Sequence, residues 1–280
     1  KLDFIAVSEL FMTPTAALAD VVLPAAWGME HDELGYWPGW YEEVRAHPKV
    51  ADPPGECWPD TKIINELAKR LGLAKDFWDD EHDALDAMLK PSGLSYEKFK
   101  ERRVLRPQKE YRRHDYRTPS GKIEIYAEQL QKLGYAPMPV WPELAPSADV
   151  SAEYPLLLTN AKEEAYMLSG FKGVASIRLM RPDPMVELHP DTAVELGLEE
   201  GAWVYIETKG GRIKQRLSLN PGIDRRVAMV AFGWWFPEQA KAGYGWRDSN
   251  INMLTPSGPD YDPSTGGVAL RGIPCRVSRA

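Results

Sequence analysis

The chain has 280 residues, of which 44% are hydrophobic and 27% are charged. It is therefore long enough for two domains with sizeable cores. Its formal net charge of −7 argues against general binding to nucleic acid or to an anionic membrane surface. No apolar run approaches the roughly 18 to 20 residues that cross a bilayer, so the sequence predicts no membrane span.

The first part of the chain is typical of an α/β domain. Lys1 leads directly into a strand-like run without an initiator Met, so we expect a piece of a longer protein. Residues 4–7 and 21–23 are predicted to be buried strands. Residues 13–19, with Thr13 as N-cap and Pro14 at the first helical position, predict a short helix between them. This order predicts a parallel strand–helix–strand unit.

Further elements follow before residue 140. The apolar spacing in residues 60–71 predicts an amphipathic helix, and residues 81–89 predict a weaker one. The turn at residues 118–121 precedes a predicted strand over residues 122–126. Residues 128–133 predict one or two helical turns.

Three other features of this part are predicted to have no nucleic-acid-binding or metal-binding role. Residues 98–117 carry nine Lys or Arg but also three acidic residues, and Glu97 directly precedes them, so we expect a domain or subunit contact rather than nucleic-acid binding. The run 30–33 holds a histidine among carboxylates, but adjacent residues rarely converge on one ion, and we predict no metal site. Cys57 and Cys275 are expected to be structural thiols.

A Pro-rich linker over residues 141–155 is predicted to separate residues 1–140 from a mainly β domain over residues 156–280. Strands are expected within the second domain at four places. They are residues 156–158, 203–208, 212–219 and 227–232.

Residues 188–220 predict a capped helix, a tight turn and a β-hairpin, in that order. Pro190 suits the first position of the helix, and Gly197 suits its C-terminal cap. Gly210 and Gly211 are expected to supply the positive φ angles of a two-residue hairpin loop. This arrangement indicates a small β-barrel module.

Three loops of the second domain carry groups suited to a polar heteroaromatic ligand. The loop 159–172 offers hydroxyls, an amide and a lysine, or else is a solvated connection. The aromatic run 234–236 offers a stacking ring, or else packs at a barrel rim. Residues 250–255 offer amides and a hydroxyl, or else form a turn whose side chains bond to its own backbone. No phosphate-binding glycine loop or nucleophile pair is present, so we predict no catalytic residue in this chain.

Several stretches, in matching order, resemble molybdopterin oxidoreductases of the dimethyl sulfoxide reductase superfamily. These stretches are residues 11–16 with 19–24, residues 118–124 (TPSGKIE), residues 188–213, and residues 252–255 with 262–266. The resemblance implies a partial Rossmann-like α/β domain followed by a six-stranded double-psi β-barrel. It also implies two molybdopterin guanine dinucleotides that chelate one molybdenum or tungsten ion.

Site residues are carried over from the resemblance by position. A carboxylate that faces guanine is expected at Asp260 or Asp262. The other implied cofactor-binding residues are Thr159, Asn160, Ala161, Lys162, Tyr166, Ser169, Gly233, Trp234, Trp235, Phe236, Asn250, Asn252 and Thr255.

The resemblance also implies components outside this chain. The 4Fe-4S cluster and the metal-ligating side chain would belong to an upstream N-terminal catalytic region, and an iron–sulfur electron-transfer subunit is a candidate partner. The compartment stays open between the cytoplasm and periplasm of a bacterium or archaeon. Many relatives have Arg and His where this chain has Lys162 and Ala165 or Tyr166, which favours acetylene hydratase-like and thiosulfate or polysulfide reductase-like branches. The alternatives are a non-redox hydratase and a non-catalytic subunit for cofactor binding or assembly.

Overall fold

A computed structural model describes residues 2–36, 43–106, 116–139, 150–239, 243–256, 262–268 and 270–280. The chain divides into two compact units, residues 1–113 and residues 114–280. Most of the predicted linker, residues 141–149, lies outside the described ranges. The predicted domain limits therefore stay a prediction.

The first unit begins with a parallel pair of strands. Strand β1 (Ala6–Glu9) pairs in parallel with β2 (Val21–Pro24), and a 3-10 helix (Ala16–Leu18) lies between them. The Thr13 hydroxyl accepts a hydrogen bond from the Ala16 N–H, as expected of an N-terminal capping residue. The predicted parallel strand–helix–strand order is confirmed.

The expectation of two buried strands is wrong for the described residues. The first strand starts two residues later than predicted, and Phe4 is 62% exposed. In the part of the first unit that the structure describes, β1 and β2 form a sheet of two strands only. Their residues are exposed or half-buried. Parallel sheets are almost always buried on both faces, which makes this exposed pair unusual.

A second sheet and three helices complete the first unit. The antiparallel sheet has the order β3-β4-β5. Its core is formed by Leu85, Leu89, Tyr96 and Phe99 against Ala46. The elements are β3 (Glu33–Tyr36), β4 (Val44–His47), α1 (Asp60–Arg70), α2 (Glu81–Leu89), α3 (Tyr96–Arg102) and β5 (Val104–Leu105), with 3-10 helices at Ala74–Asp76 and Lys90–Ser92. The predicted helices over 60–71 and 81–89 are confirmed, whereas β3, β4 and β5 were not predicted.

The second unit contains a closed barrel of six strands in the order β10-β6-β11-β8-β9-β7. Two neighbouring pairs, β6 with β10 and β7 with β9, are parallel, and the other pairs are antiparallel. The strands are β6 (Leu156–Ala161), β7 (Met185–Leu188), β8 (Trp203–Thr208), β9 (Gly211–Leu219), β10 (Val227–Ala231) and β11 (Ile273–Arg279).

Alternating side chains of these strands fill the barrel. Leu158, Val186, Val204, Ile213 and Val230 are among its buried core residues, as expected when successive side chains point to opposite faces of a strand. The second unit also contains four short helices in its described residues. They are α4 (Glu128–Lys132), α5 (Ala175–Met180), α6 (Pro190–Glu195) and α7 (Trp246–Ser249), with a 3-10 helix at Ile251–Met253.

The predicted helix, turn and hairpin over residues 188–220 are confirmed. Helix α6 begins at Pro190, and Gly197 has a φ of +64° just after the helix ends. The strand predicted over residues 122–126 is wrong. This segment forms no strand, because none of the described strands pairs with it, and the side chains of Ile123 and Ile125 are exposed. None of the helices in the described ranges is both long enough and apolar enough to cross a membrane.

Candidate functional site

Two of the three predicted loops leave the barrel from neighbouring strand ends. We call residues 159–172 the first segment, 233–236 the second and 250–255 the third. Ala161, at the end of β6, is the register partner of Ala231, at the end of β10. Parallel strands end at the same edge of a sheet, so the first and second segments begin side by side.

The first residues of the first segment still belong to β6. Thr159, Asn160 and Ala161 are strand residues, and the Asn160 side-chain amide donates a hydrogen bond to the Leu270 carbonyl (3.0 Å). The side chain of Lys162 is exposed. Of these predicted residues, only Asn160 is thus tied to another part of the barrel by a side-chain hydrogen bond that the structure describes.

The second segment packs directly on the first. Gly233 has a φ of +64°, and a Cβ atom there would lie 3.0 Å from the Ser169 nitrogen, so glycine is required on both counts. The Trp235 indole N–H donates to the Ser169 carbonyl at 2.8 Å. The predicted residues Ser169, Gly233 and Trp235 therefore form one contact.

The aromatic run packs inward rather than presenting an open ring. Trp234 is fully buried and makes an edge-to-face contact with Tyr166, with ring centroids 5.4 Å apart. Trp235 packs against Tyr244 at 5.7 Å, and Phe236 is also buried. This geometry favours the alternative of a packed barrel rim over the prediction of an aromatic ring available for stacking.

The third segment is joined to the second by Asn250. Its side-chain amide donates to the Trp234 carbonyl (3.1 Å), and its side-chain oxygen accepts from the Asn252 N–H (3.0 Å). The side chain of Asn252 is exposed, and the Thr255 hydroxyl donates to the Asn252 carbonyl (3.3 Å). Asn250 therefore has a structural role, while the Asn252 amide faces solvent.

A residue of the β8–β9 hairpin forms hydrogen bonds next to the second and third segments. The Gln215 side chain is fully buried and donates to the carbonyls of Ala231 (3.2 Å) and Ser249 (2.9 Å). Its oxygen accepts from the Ala231 N–H (3.1 Å). Gln215 thus fixes Ala231, two residues before the second segment, and Ser249, directly before the third. Sequence analysis missed it, because a lone glutamine within an alternating strand gives no signal.

The hairpin glycines serve a purpose different from the predicted one. The two-residue loop is Lys209–Gly210, and neither Gly210 nor Gly211 has a positive φ, so that expectation is wrong. A Cβ atom on Gly211 would lie 2.6 Å from the Met253 carbonyl oxygen, and one on Gly210 would lie 3.1 Å from that of Leu254. The glycines therefore let the third segment approach the hairpin closely.

Lys172, at the end of the first segment, was not predicted as a site residue. Its side chain is fully buried, and its Nζ lies 3.5 Å from the Tyr166 ring centroid and 3.9 Å from that of Trp234. Within the residues that the structure describes, neither the Lys172 Nζ nor the Trp234 Nε1 has a hydrogen-bond partner. Burial, with a contribution from the nearby Arg178 guanidinium, lowers the pKa of Lys172 to about 7.

Asp262 organises its own loop. Its Oδ1 accepts hydrogen bonds from the backbone and hydroxyl groups of both Ser264 and Thr265. These bonds, with that from the Ser264 hydroxyl first, lower the pKa of Asp262 below its usual value. The other candidate for the guanine-facing carboxylate, Asp260, lies outside the described residues.

A cavity of about 570 Å³ lies beside the second segment, within the size range of small-molecule sites. Its walls include Trp203, Tyr205 and Lys214 of the hairpin, facing Phe236 and Asp248. Aromatic rings and both signs of charge therefore line it, which suits a polar ligand with aromatic rings.

The first unit brings together a cluster that sequence spacing did not reveal. Ligand atoms of Asp32, His82 and Glu97 lie within 4.8 Å of one another. Burial opposes ionisation of Asp32, but the Lys49 N–H and the His82 ring outweigh it, so the pKa of Asp32 is lowered. The Lys100 ammonium lies 2.8 Å from Glu97 and 3.9 Å from Asp32. Because Lys100 lies within ion-pair distance of both carboxylates and the His82 ring contacts Asp32 at 2.9 Å, we describe this cluster as an ion-pair network.

Comparison with protein families agrees with these two units. The family described as "Molydopterin dinucleotide binding domain" matches residues 156–274. The family described as "Molybdopterin oxidoreductase" matches residues 1–70.

Individual relatives are considerably longer than this chain. Acetylene hydratase of Syntrophotalea acetylenica is 32% identical over 296 residues, which cover 96% of this chain and 39% of that protein. A putative dimethyl sulfoxide reductase catalytic subunit of Halobacterium salinarum is 28% identical, with 84% of this chain and 30% of that protein covered. The solved structure of acetylene hydratase from Pelobacter acetylenicus superposes with a TM-score of 0.89 at 30% identity, over 99% of this chain and 40% of that one.

The chain thus spans about two fifths or less of the length of these relatives. Their similarity extends over nearly the whole chain and includes both units. Together with the ordered motifs and the closed mixed barrel, it shows that this chain belongs to the molybdopterin oxidoreductase family and carries that family's molybdopterin dinucleotide-binding domain.

Proposed function

We propose that the second unit binds and orients two molybdopterin guanine dinucleotides in a molybdenum or tungsten enzyme, with the first, second and third segments as contacts. The observation that carries this proposal is the pair of orphaned donors, Lys172 Nζ and Trp234 Nε1, where the first two segments meet. Buried donors without acceptors are rare in native proteins and call for an explanation.

The residues at this edge fit such a cofactor. A dinucleotide carries phosphate oxygens and a pterin carries ring acceptors, which match an ammonium and an indole N–H. The exposed Asn252 amide and Lys162 ammonium supply further donors. When bound, the cofactor supplies the metal and redox chemistry, and the residues of this chain bind it and fix its orientation.

The finer fold assignment is part of the same proposal. We infer a double-psi topology for the barrel, supported by its two parallel strand pairs within a closed six-stranded sheet. We infer that residues 1–140 are the end of a Rossmann-like domain, supported by the parallel pair of β1 and β2. Residues 141–155 would link the two.

We also propose that an N-terminal catalytic region, carrying the 4Fe-4S cluster and the metal-ligating side chain, packs on the first unit. Apolar side chains around β1, including Phe4, Phe11 and Met12, are exposed. Several exposed apolar side chains in one short stretch of the chain are a candidate interaction surface. An iron–sulfur electron-transfer subunit is the further partner in this proposal.

Oxidoreductase activity is the first candidate, and hydration is the second. The hydratase alternative is favoured by one specific observation, namely the 32% identity to a protein named acetylene hydratase across 96% of this chain. A hydratase adds water across a triple bond without net oxidation, so the same cofactor-binding site would serve either reaction.

The test begins with the full-length protein purified from its natural source. Acid-oxidised pterin fluorescence would quantify the cofactor, and mass spectrometry of the same sample would count molybdenum and tungsten. We expect two pterins for each metal ion. A preparation with neither pterin nor metal would refute the proposal. Acetaldehyde formation from acetylene, compared with sulfoxide reduction by a reduced dye, would then separate hydration from redox chemistry.

A further inference from the structure

Lys172 is buried under conditions that normally disfavour a lysine. Its side-chain nitrogen lies over the rings of Tyr166 and Trp234, at 3.5 and 3.9 Å from their centroids, and makes no hydrogen bond to any described residue. An ammonium group can donate three hydrogen bonds. Contact with aromatic faces offsets part of the cost of burial but satisfies none of these donors.

The charged groups around Lys172 are engaged with one another. Arg178, on α5, forms an ion pair with Glu238, and Arg181 lies 3.5 Å from Glu163. Glu163 interacts with Lys172 only at longer range, and burial raises the pKa of Glu163. No carboxylate in the described part of the chain therefore contacts the Lys172 amine, which is the arrangement that an external anion would complete.

The chain that carries Lys172 is itself under strain. Leu168 and Phe171 have φ angles of +55° and +64°, a region that costs a bulky residue energy. The side chains of Met167 and Leu168 are exposed, so the buried Tyr166 side chain and the hydrogen bond from Trp235 to the Ser169 carbonyl hold this stretch. The unfavourable free energy of the positive φ angles and that of burying the Lys172 amine therefore arise within the same ten residues, 163–172.

We propose that Lys172 is the anion-binding residue of the cofactor site and that residues 163–172 rearrange to turn its ammonium from the two rings towards a phosphate of the dinucleotide. Lysine suits this task because it is a point charge on a flexible stem. The proposal rests on the proposed function and adds to it a specific residue, a ligand group and a movement.

The competing explanation is that Lys172 only packs the barrel rim. The two explanations differ in the sign of an effect on stability. If the amine serves to bind a ligand, its removal should increase the stability of the cofactor-free protein. If the amine is structural, its removal destabilises that protein.

The experiment uses full-length enzyme with Lys172→Met, made once in a host that supplies the cofactor and once in a host that cannot make it. Methionine keeps the length of the stem and removes the charge. We expect the melting temperature of the cofactor-free variant to rise by about 3 °C or more. We expect pterin release from the loaded variant to be faster, with binding weakened by roughly 10-fold or more.

Two further variants complete the comparison. Lys172→Arg keeps the charge and should recover much of the pterin retention. Lys132→Met removes an exposed lysine from α4, whose side chain is 76% exposed, and should change neither readout.

Each outcome decides the matter. A lower melting temperature, or an unfolded Lys172→Met protein, would show that Lys172 is structural. A more stable variant that retains pterin as well as the wild type does would refute the anion-binding role while leaving the proposed function intact. Wild-type enzyme without pterin would instead refute the proposed function itself.

Discussion

Replacement of Gln215 by Met tests whether the hairpin supports the predicted binding segments. The wild-type side chain is fully buried and forms three hydrogen bonds, two to Ala231 and one to the Ser249 carbonyl. Methionine has a similar length but is apolar. It therefore fills the space of the Gln215 side chain, while all three hydrogen bonds are lost. Each lost bond leaves a backbone group without that partner.

The expected loss follows from those three bonds. A typical intramolecular hydrogen bond contributes about 1 kcal/mol net, and an unsatisfied buried partner costs about 1 to 3 kcal/mol. We therefore expect Gln215→Met to lower the free energy of unfolding by about 3 to 5 kcal/mol. The loss should be local as well as global, because Gln215 joins β9 to the ends of β10 and α7.

Urea unfolding of the cofactor-free protein measures the global loss, and hydrogen exchange of residues 231–235 and 249–254 measures the local one. Gln131→Met is the matched control, since Gln131 is exposed on α4 and its loss should cost less than about 0.5 kcal/mol. A loss below about 1 kcal/mol for Gln215→Met, or unchanged exchange in both stretches, would refute the reasoning.

Two further substitutions and a change of pH test the same candidate site. Gly211→Ala places a Cβ atom 2.6 Å from the Met253 carbonyl oxygen, so calorimetry should show a stability loss of about 1 to 3 kcal/mol. An undiminished melting temperature would mean that the third segment moves freely. Asn252→Ala removes an exposed side chain, so pterin retention should fall while the melting temperature stays nearly constant; a large loss of stability with full retention would make Asn252 a turn residue. The folded pKa of Lys172 is about 7, below the value near 10.4 of an unfolded lysine. The unfolded chain therefore binds more protons between those values, and the free energy of unfolding should rise with pH across that interval. Unfolding curves at several pH values should show a flatter profile for Lys172→Met, and an identical slope would contradict the assignment.

Local sequence signals predicted the elements whose causes are local. The helix at Pro190–Glu195 and the strand at Trp203–Thr208 were predicted because a proline, a cap glycine and alternating apolar residues define them within a few positions. The alternation in residues 122–126 looked the same but gave no strand. A strand needs a partner, and the sequence of one segment does not contain that information.

Long-range contacts explain what could not be predicted. Strand β4 pairs with β5 through Val44 and Leu105, some sixty positions apart, and that pairing has no local signature. Gly211 was assigned correctly to the hairpin but for the wrong reason, because its small size is required by Met253, a residue of another segment. The loops that form the candidate site were named from a family resemblance, and which residues join them became visible only in the fold.

Lys172 stands out because its surroundings are otherwise well satisfied. In the described part of residues 114–280, the buried side-chain polar atoms without a hydrogen-bond partner are the Lys172 Nζ and the Trp234 Nε1. Gln215, in the same region and equally buried, has both its amide and its oxygen bonded. Loose packing would leave polar groups unpaired throughout the barrel edge. The restriction of the unpaired donors to two touching side chains, on the two segments predicted to bind the cofactor, instead argues that these donors serve a ligand.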